Sequence, residues 1–290
     1  MNSFMPLISV LLPAHNARPF IREAVESILA QTLGDFELLV HDDGSMDGTP
    51  EVLRELADAD RRVRLTCGPN RGLVSTLNML FARARGTYIA RMDADDVCTP
   101  QRFAAQAERL ESSARTVCIG GAVVLMDASG KAVHHPTPVL GDESVQTHAM
   151  AGRTPLCHPA TMFRASAVEQ VGAYRSEMWP AEDLDLFLRL GEIGHLDNVP
   201  ETVLHYRLHA TSISASRAAE QRERMRAVCS AAALRRGLSV AFDDGSSLGP
   251  ADGADYSALS MPGVMANPTA RALVLASAHE RRSQQRRKTA

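Results

Sequence analysis

"YIARMDADDVCTP", residues 88–100, runs from apolar side chains into three carboxylates within four positions, Asp93, Asp95 and Asp96. It reads as the end of a buried strand followed by an acidic cluster. Like charges this close repel one another, so a positive charge belongs beside them. The position matters for the fold as well, because an open parallel sheet binds its ligands just outside the carboxyl ends of its strands.

Upstream, strands and helices alternate. "LISVLLPAH" (7–15) is a short continuous apolar run rich in branched residues, as expected of a strand buried on both faces. A helix follows, with Ala24, Val25, Ile28 and Leu29 on one stripe. "FELLVHDDGS" (36–45) is a second strand and turn. Thr49 and Pro50 read as the N-cap and first residue of a second helix, with Val52, Leu53 and Leu56 as its apolar stripe. "VRLTCG" (63–68) is a third strand, residues 73–85 a third helix, and the stretch at 87–93 a fourth strand. Thr99 and Pro100 read as opening a fourth helix in the same cap-then-proline manner. Strands separated by helices predict βαβ units, hence an α/β fold with a mostly parallel sheet flanked by helices.

Past residue 115 the rhythm changes. "VCIGGAVVLMDASGKAV" (117–133) reads as two strands around a Ser-Gly turn, and "TPLCHPATMFR" (154–164) as another short strand. "AEDLDLFLRLGEIG" (181–194) is a helix with Leu184, Phe187, Leu188 and Ile193 mostly on one side. "ETVLHYRLH" (201–209) is a strand, and residues 215–236 form a C-terminal helical extension rich in Arg and Glu. "DDGSSLGPADGADYS" (243–257) reads as a linker, followed by a tail ending in "ERRSQQRRKTA". The expected division is one domain over residues 1–240, split near 115/116 into two halves, with a linker and tail over 241–290.

The chain has 290 residues, a net charge of −3 and 45% hydrophobic residues, which fits a globular protein and argues against a nucleic-acid partner. Its five cysteines, Cys67, Cys98, Cys118, Cys157 and Cys229, form no CxxC pair and read as small buried thiols in a reducing compartment. No basic leader precedes the first apolar run, and no apolar stretch reaches the ~18 residues of a spanning helix. The expected location is cytoplasmic. Arg281, Arg282, Arg286, Arg287 and Lys288 also admit contact with anionic lipid at the inner membrane face, against the plainer reading of a solvated end.

Three polar clusters fall at strand ends: Pro13-Ala14-His15-Asn16, Asp42-Asp43-Gly44-Ser45 and Asp93-Ala94-Asp95-Asp96. Turns favour Asp and Gly in any case, so one such cluster is ordinary. Two aspartate clusters at neighbouring strand ends are less so. An Asp-x-Asp pair presents oxygen ligands of the kind hard divalent cations prefer, and Mg²⁺ or Mn²⁺ commonly bridges a carboxylate to phosphate oxygens. A calcium loop starting at Asp43 is excluded, because its twelfth position is Arg54 rather than Glu. Glu182 and Asp183 open a helix, where acids commonly complement the helix dipole; the functional alternative is a general base facing the ligand cleft, with Asp185 a weaker candidate. His205 and His209 lie near a strand end, and His209 gains a role only if the fold returns it to the cation.

In this order, "ISVLLPAHN", "LLVHDDGSMDGT", "NRGLVSTLN", "GTYIARMDADD", "HPATMFR", "AEDLDLFLRL" and "YRLHATSIS" resemble the family-2 glycosyltransferases of the GT-A fold, over residues 8–214. The resemblance implies a Rossmann-like domain that transfers a sugar from a nucleotide-sugar donor, most often a UDP-sugar, to a hydroxyl of a glycan or lipid-linked acceptor, with inversion at the anomeric carbon. It implies that Pro13, Ala14 and Asn16 line the base pocket, that Asp43 accepts a hydrogen bond from uracil, and that Arg71 lies near the nucleotide. Asp93, Ala94 and Asp95 would hold the ribose and a Mn²⁺ or Mg²⁺ ion, with His209 near the diphosphate or metal. Asp183 of the Glu182-Asp183 pair would be the catalytic base. Residues 1–115 would bind the donor and 116–240 the acceptor. His15 stands where many relatives have an aromatic residue, and the segment after 240 matches no family pattern.

Two other functions fit some of the same residues. An apolar strand followed by Asp-x-Asp-x-Val also resembles haloacid-dehalogenase-like phosphatases, with Asp93 as nucleophile and Asp95 as acid–base. That motif opens its domain, whereas three strand–helix units precede it here. A non-catalytic nucleotide-sugar-binding protein is the second alternative.

Overall fold

The structure is a computed structural model that describes residues 5–209 and 217–238. The linker and basic tail expected over 241–290, and the "ATSIS" of the last motif, lie outside the described residues. In chain order the elements are β1 (Ile8–Ala14), α1 (Ile21–Leu29), β2 (Phe36–Asp43), α2 (Thr49–Ala59), β3 (Val63–Gly68), α3 (Leu73–Phe81), β4 (Tyr88–Arg91), β5 (Val97–Cys98) and α4 (Arg102–Glu111). There follow β6 (Thr116–Met126), β7 (Ala132–His134), α5 (Asp142–Met150), a 3₁₀ turn (His158–Ala160), β8 (Met162–Arg164), α6 (Ala165–Val171), a second 3₁₀ turn (Ser176–Met178), α7 (Glu182–Leu190), β9 (His195–Arg207) and α8 (Ala218–Arg235).

The nine strands of the described residues join one sheet in the order β3-β2-β1-β4-β8-β6-β9-β5, with β7 beside β6. From β3 to β4 every pairing is parallel. Beyond β4 the sheet is mixed: β8 runs antiparallel to both β4 and β6, β6 and β9 are parallel, and β5 and β7 pair antiparallel at the margins. The parallel reading therefore describes the first half. The second half departs from it at β8, which follows a 3₁₀ turn and runs opposite to both of its neighbours.

The apolar runs are explained by burial on both sheet faces. On β1, Ile8, Val10 and Leu12 join one core cluster with α1 and α2, while Leu11 joins the cluster under α3, α6 and α7. On β2, Phe36, Leu38 and Val40 face the first cluster and Leu39 the second. This is strand alternation with an apolar layer on each side. A third cluster packs Leu184 and Leu188 of α7 against Met225, Val228 and Ala232 of α8 and Ala149 of α5.

Several local expectations are corrected. Thr49 is the first helical residue and not the cap: Gly48 holds the cap position at φ 90°, and the Thr49 hydroxyl donates to Asp47 at 2.6 Å while accepting from the Ala17 amide. Thr99 caps nothing, because its hydroxyl donates to the Thr202 carbonyl at 2.8 Å, and α4 starts only at Arg102. Ile193 lies beyond the end of α7 and is 39% exposed. Cys67 is exposed and Cys157 only half-buried, so three of the five thiols, not all, are buried. No helix among the described residues is long and apolar enough to cross a membrane.

The topology decides where chemistry can gather. Because β1, β2 and β4 are parallel, their carboxyl ends lie along one edge of the sheet. Two reversals bring β6 back to the direction of β4, so β6 and its parallel neighbour β9 end on that edge as well. Buried Arg102 braces the region, donating to the carbonyls of Arg91 and Thr161 at 2.7 and 3.2 Å.

Candidate active site

At the end of β2, Asp43 is buried and both of its carboxylate oxygens accept backbone amides, Arg71 N–H at 2.7 Å and Gly72 N–H at 2.9 Å. Each oxygen retains a second lone pair, so a further donor can still be accepted. The Asp43 carbonyl receives His15 Nδ1 at 2.8 Å, and the Asn16 side-chain amide reaches His15 Nε2 at 3.0 Å. One tautomer satisfies both contacts: Nδ1–H donates to the carbonyl and Nε2 accepts from Asn16.

Asn16 adopts φ 50°, which its short polar side chain tolerates. Its Oδ1 accepts the Met46 amide and its own amide donates to Ser45, so it ties the β1 turn to the β2 turn. Pro13 and Ala14 are buried at the end of β1, and Arg71 is exposed. This corner is built from the turns after β1 and β2 and the approach to α3.

At the end of β4, Asp93, Asp95 and Asp96 each place a carboxylate oxygen so that all three lie within 4.8 Å of one another. On a single Mg²⁺ or Mn²⁺ at about 2.1 Å, trans oxygens are about 4.2 Å apart and cis oxygens about 3 Å, so the three carboxylates would draw together to share one ion. Asp96 Oδ2 is buried without a hydrogen-bond partner, while Oδ1 accepts the Arg207 amide at 2.8 Å. The donor set is hard and anionic, and it fits such a cation.

The chain itself supplies part of the countercharge that the sequence demanded. Arg91 Nη1 lies 2.5 Å from Asp93 Oδ2, and His209 Nε2 lies 2.6 Å from Asp95 Oδ2. The ring of His209 also lies tilted against Phe20, with centroids 5.1 Å apart. Arg207 donates to the Asp95 carbonyl at 2.7 Å and to the Ala128 carbonyl, and it pairs with Glu23 at 2.6 Å. The end of β9 is thereby clamped onto the acidic turn. Burial pushes the Asp93 carboxyl up, Arg91 opposes that, and Asp95 adds to it. Asp96 is pushed well up, by burial first and then by its two acidic neighbours.

Glu182 and Asp183 begin α7. Glu182 is buried at 5% exposure, and its carboxyl is pushed up to about 8 by burial and by Asp183. The Asp183 carboxyl is also raised, by burial first, although the Leu184 amide donates to it at 2.7 Å. The charges of Arg91 and Asp93 act on both acids. The fold thus brings residues ninety positions apart into one electrostatic group around a single buried guanidinium. Asp185 does not belong to it: its carboxylate pairs with Arg189 at 2.7 Å, both side chains being buried, and so serves α7 itself. His205, on β9, faces the charges of His135 and Glu23 rather than the aspartates.

Two features escaped the sequence reading. Arg91 is 3% exposed, and its signal was a charged residue standing inside an apolar strand run. His158 and Tyr174 form a buried pair, Nε2 to hydroxyl at 2.8 Å, beneath the same group. Burial and the Arg91 charge hold the His158 imidazole well down, hence neutral. No spacing rule links residues in a 3₁₀ turn and a loop.

A family model described as "Glycosyl transferase family 2" matches residues 9–172. EpsE of Bacillus subtilis is 34% identical over 193 residues, 65% of this chain and 68% of that protein. The chondroitin synthase of Escherichia coli is 29% identical over 221 residues, 76% of this chain; the chain spans only 31% of the synthase. Among solved structures, the mannosyltransferase PcManGT of Pyrobaculum calidifontis, in complex with GDP-Man and Mn²⁺, superposes with a TM-score of 0.59 at 20% identity, covering 96% of this chain and 76% of that one. The fold is that of the GT-A glycosyltransferases.

Proposed function

The chain belongs to glycosyl transferase family 2 and is an enzyme of that class, and from that premise we propose that it moves a sugar, with inversion, from a nucleoside-diphosphate sugar to a hydroxyl of a glycan or lipid-linked acceptor. The observation that carries the reading is the convergence of Asp93 and the Glu182-Asp183 pair around Arg91 at the same sheet edge as Asp43. Residues 1–115 hold the donor in this reading and residues 116–240 shape the acceptor side. A UDP-sugar is the proposed donor, with the base against Asp43 and Asn16. Growing extracellular polysaccharide is the proposed acceptor class, in keeping with the name of the chondroitin synthase.

In the reaction, a bond forms from the acceptor oxygen to the anomeric carbon as the bond to the diphosphate oxygen breaks and its electron pair leaves with the diphosphate. A Mn²⁺ or Mg²⁺ ion at this site supplies positive charge to those phosphate oxygens as they become more negative. Asp93 and Asp95 are the residues that would hold it, with His209 beside Asp95. Asp183 takes the acceptor's proton. Its raised affinity for a proton makes it a stronger base than a solvent-exposed aspartate, closer to the working pH. Glu182 keeps its own proton at neutral pH, so the pair carries one negative charge rather than two. Inversion requires attack opposite the leaving group, which places the base and the phosphate-binding acids on opposite sides of the sugar.

A phosphatase reading is less well supported, because three strand–helix units precede the Asp93–Asp95 motif here, whereas in that class it opens the domain, and because it gives Asp43 no task. The test is incubation with UDP-, GDP- and dTDP-sugars and Mn²⁺, following release of nucleoside diphosphate. Turnover with one nucleotide class, and loss of Mn²⁺-dependent nucleotide binding in Asp95→Ala, supports the reading. Binding without turnover under all conditions favours a non-catalytic binding protein instead.

A further inference from the structure

The proposed chemistry leaves one buried charge without a task. Arg91 ends the fourth strand at 3% exposure, and its Nη1 touches Asp93 at 2.5 Å. Neither its Nε nor its Nη1 has a hydrogen-bond partner of good geometry among the described residues, so the contact with Asp93 is an ion pair. An arginine keeps its charge in any protein setting, so this buried guanidinium has to be matched by a carboxylate. An arginine held only for packing would have its donors satisfied by carbonyls, as Arg102 does next door. Arg91 instead offers its charge to an aspartate that would coordinate a metal.

We infer that Arg91 is a resident counter-ion of the cation site: in the ligand-free protein its guanidinium holds and neutralises Asp93, and a divalent cation gains Asp93 by displacing that contact. This inference rests on the metal-assisted reading above. Arg91 acts through Asp93 and is a positioning residue, not a catalytic one. Free Mn²⁺ then binds weakly, because it competes with a charge already in place, and binds well only when a diphosphate adds its own oxygens.

The experiment measures Mn²⁺ binding to the full chain by electron paramagnetic resonance of the free ion, with and without UDP, GDP or dTDP. Without nucleotide, Arg91→Met binds Mn²⁺ more tightly than the wild type by about tenfold or more, because the competing charge is gone. Arg91→Lys keeps a charge there and stays near the wild type. A folded Arg91→Met variant that binds free Mn²⁺ no better than the wild type overturns the inference while leaving the metal-assisted reading intact. No Mn²⁺ binding by any protein, with or without nucleotide, overturns the metal-assisted reading.

A second measurement needs neither the metal nor the Arg91 variant. Asp93→Asn, melted in EDTA, strands a buried guanidinium and lowers the melting temperature. An unchanged or raised melting temperature, as expected if the mutation merely relieved repulsion among three aspartates, overturns the inference.

Discussion

Glu182→Gln should stabilise the protein in alkaline solution and leave it almost unchanged in acid. The side chain is 5% exposed and holds its proton up to about pH 8, against an ordinary value of 4.5. Below pH 4.5 the carboxyl is protonated in both the folded and the unfolded chain, and nothing is gained or lost. Between 4.5 and 8 the unfolded chain has released the proton and the folded one has not, so stability falls as the pH rises. Above 8 the folded protein carries the buried charge and the loss is complete. At ~1.4 kcal/mol per tenfold change in proton affinity, that window is worth about 5 kcal/mol at most. Glutamine keeps the shape of the protonated acid and cannot ionise, so it removes this fall. Melting curves of both proteins in EDTA at pH 5 and pH 8.5 check it. The variant should gain several degrees over the wild type at pH 8.5 and less than a degree or two at pH 5, given the few degrees per kcal/mol usual for a chain of this size. A gap that is the same at both values would refute the claim that Glu182 is buried as a neutral acid.

Asp183→Asn should bind the nucleotide sugar as the wild type does and lose transfer by about 10²- to 10⁴-fold, read as kcat against donor Kd; the wild-type rate should rise with pH above the ordinary aspartate range, since burial raises that carboxyl. Asp185→Ala strands the buried Arg189 guanidinium, so it should cost about 3–5 kcal/mol in chemical denaturation while leaving donor binding intact. Gly86→Ala should destabilise by about 1–3 kcal/mol or more in the same assay, because the added Cβ would clash with the Ser9 amide nitrogen and backbone cannot yield as a side-chain tip can.

The first hundred residues were legible because each strand there is a doubly buried run and each helix carries an apolar stripe. β3 has the bounds read from "VRLTCG", and β1, β2 and β4 lie within the runs read for them. The second half was harder for physical reasons. α5 buries only Val145 and Ala149, too few to make a periodic signal, and β5 is two residues long. β9 begins well before "ETVLHYRLH", at His195, because its early residues include Asp197 and Asn198, whose polar side chains are spent on Gly141 and on the Val139 and Pro155 carbonyls. Of the site, the acidic residues could be read as types at strand and helix starts. Their grouping could not, since it depends on the reversal at β8 that returns β6 and β9 to the edge where β4 ends.

That reversal bears on how the parts of the site are divided along the chain. The acids that would meet the leaving phosphate come from β4, in the parallel half, whose strand ends are fixed by packing on both faces. The proposed base comes from the first turn of α7, which packs on the sheet through Leu186, Phe187 and Leu190 and on α8 through Leu184 and Leu188. The two share the charge of Arg91, while Arg207 separately ties the end of β9 to the Asp95 carbonyl. Loosening α8 should therefore reach the base before it reaches the cation site. Polar substitution of Val228, fully buried in the α7–α8 contact, is expected to lower transfer while leaving Mn²⁺-dependent nucleotide binding close to the wild type. Parallel loss of both activities would mean that the two halves of the edge are coupled more tightly than these contacts allow.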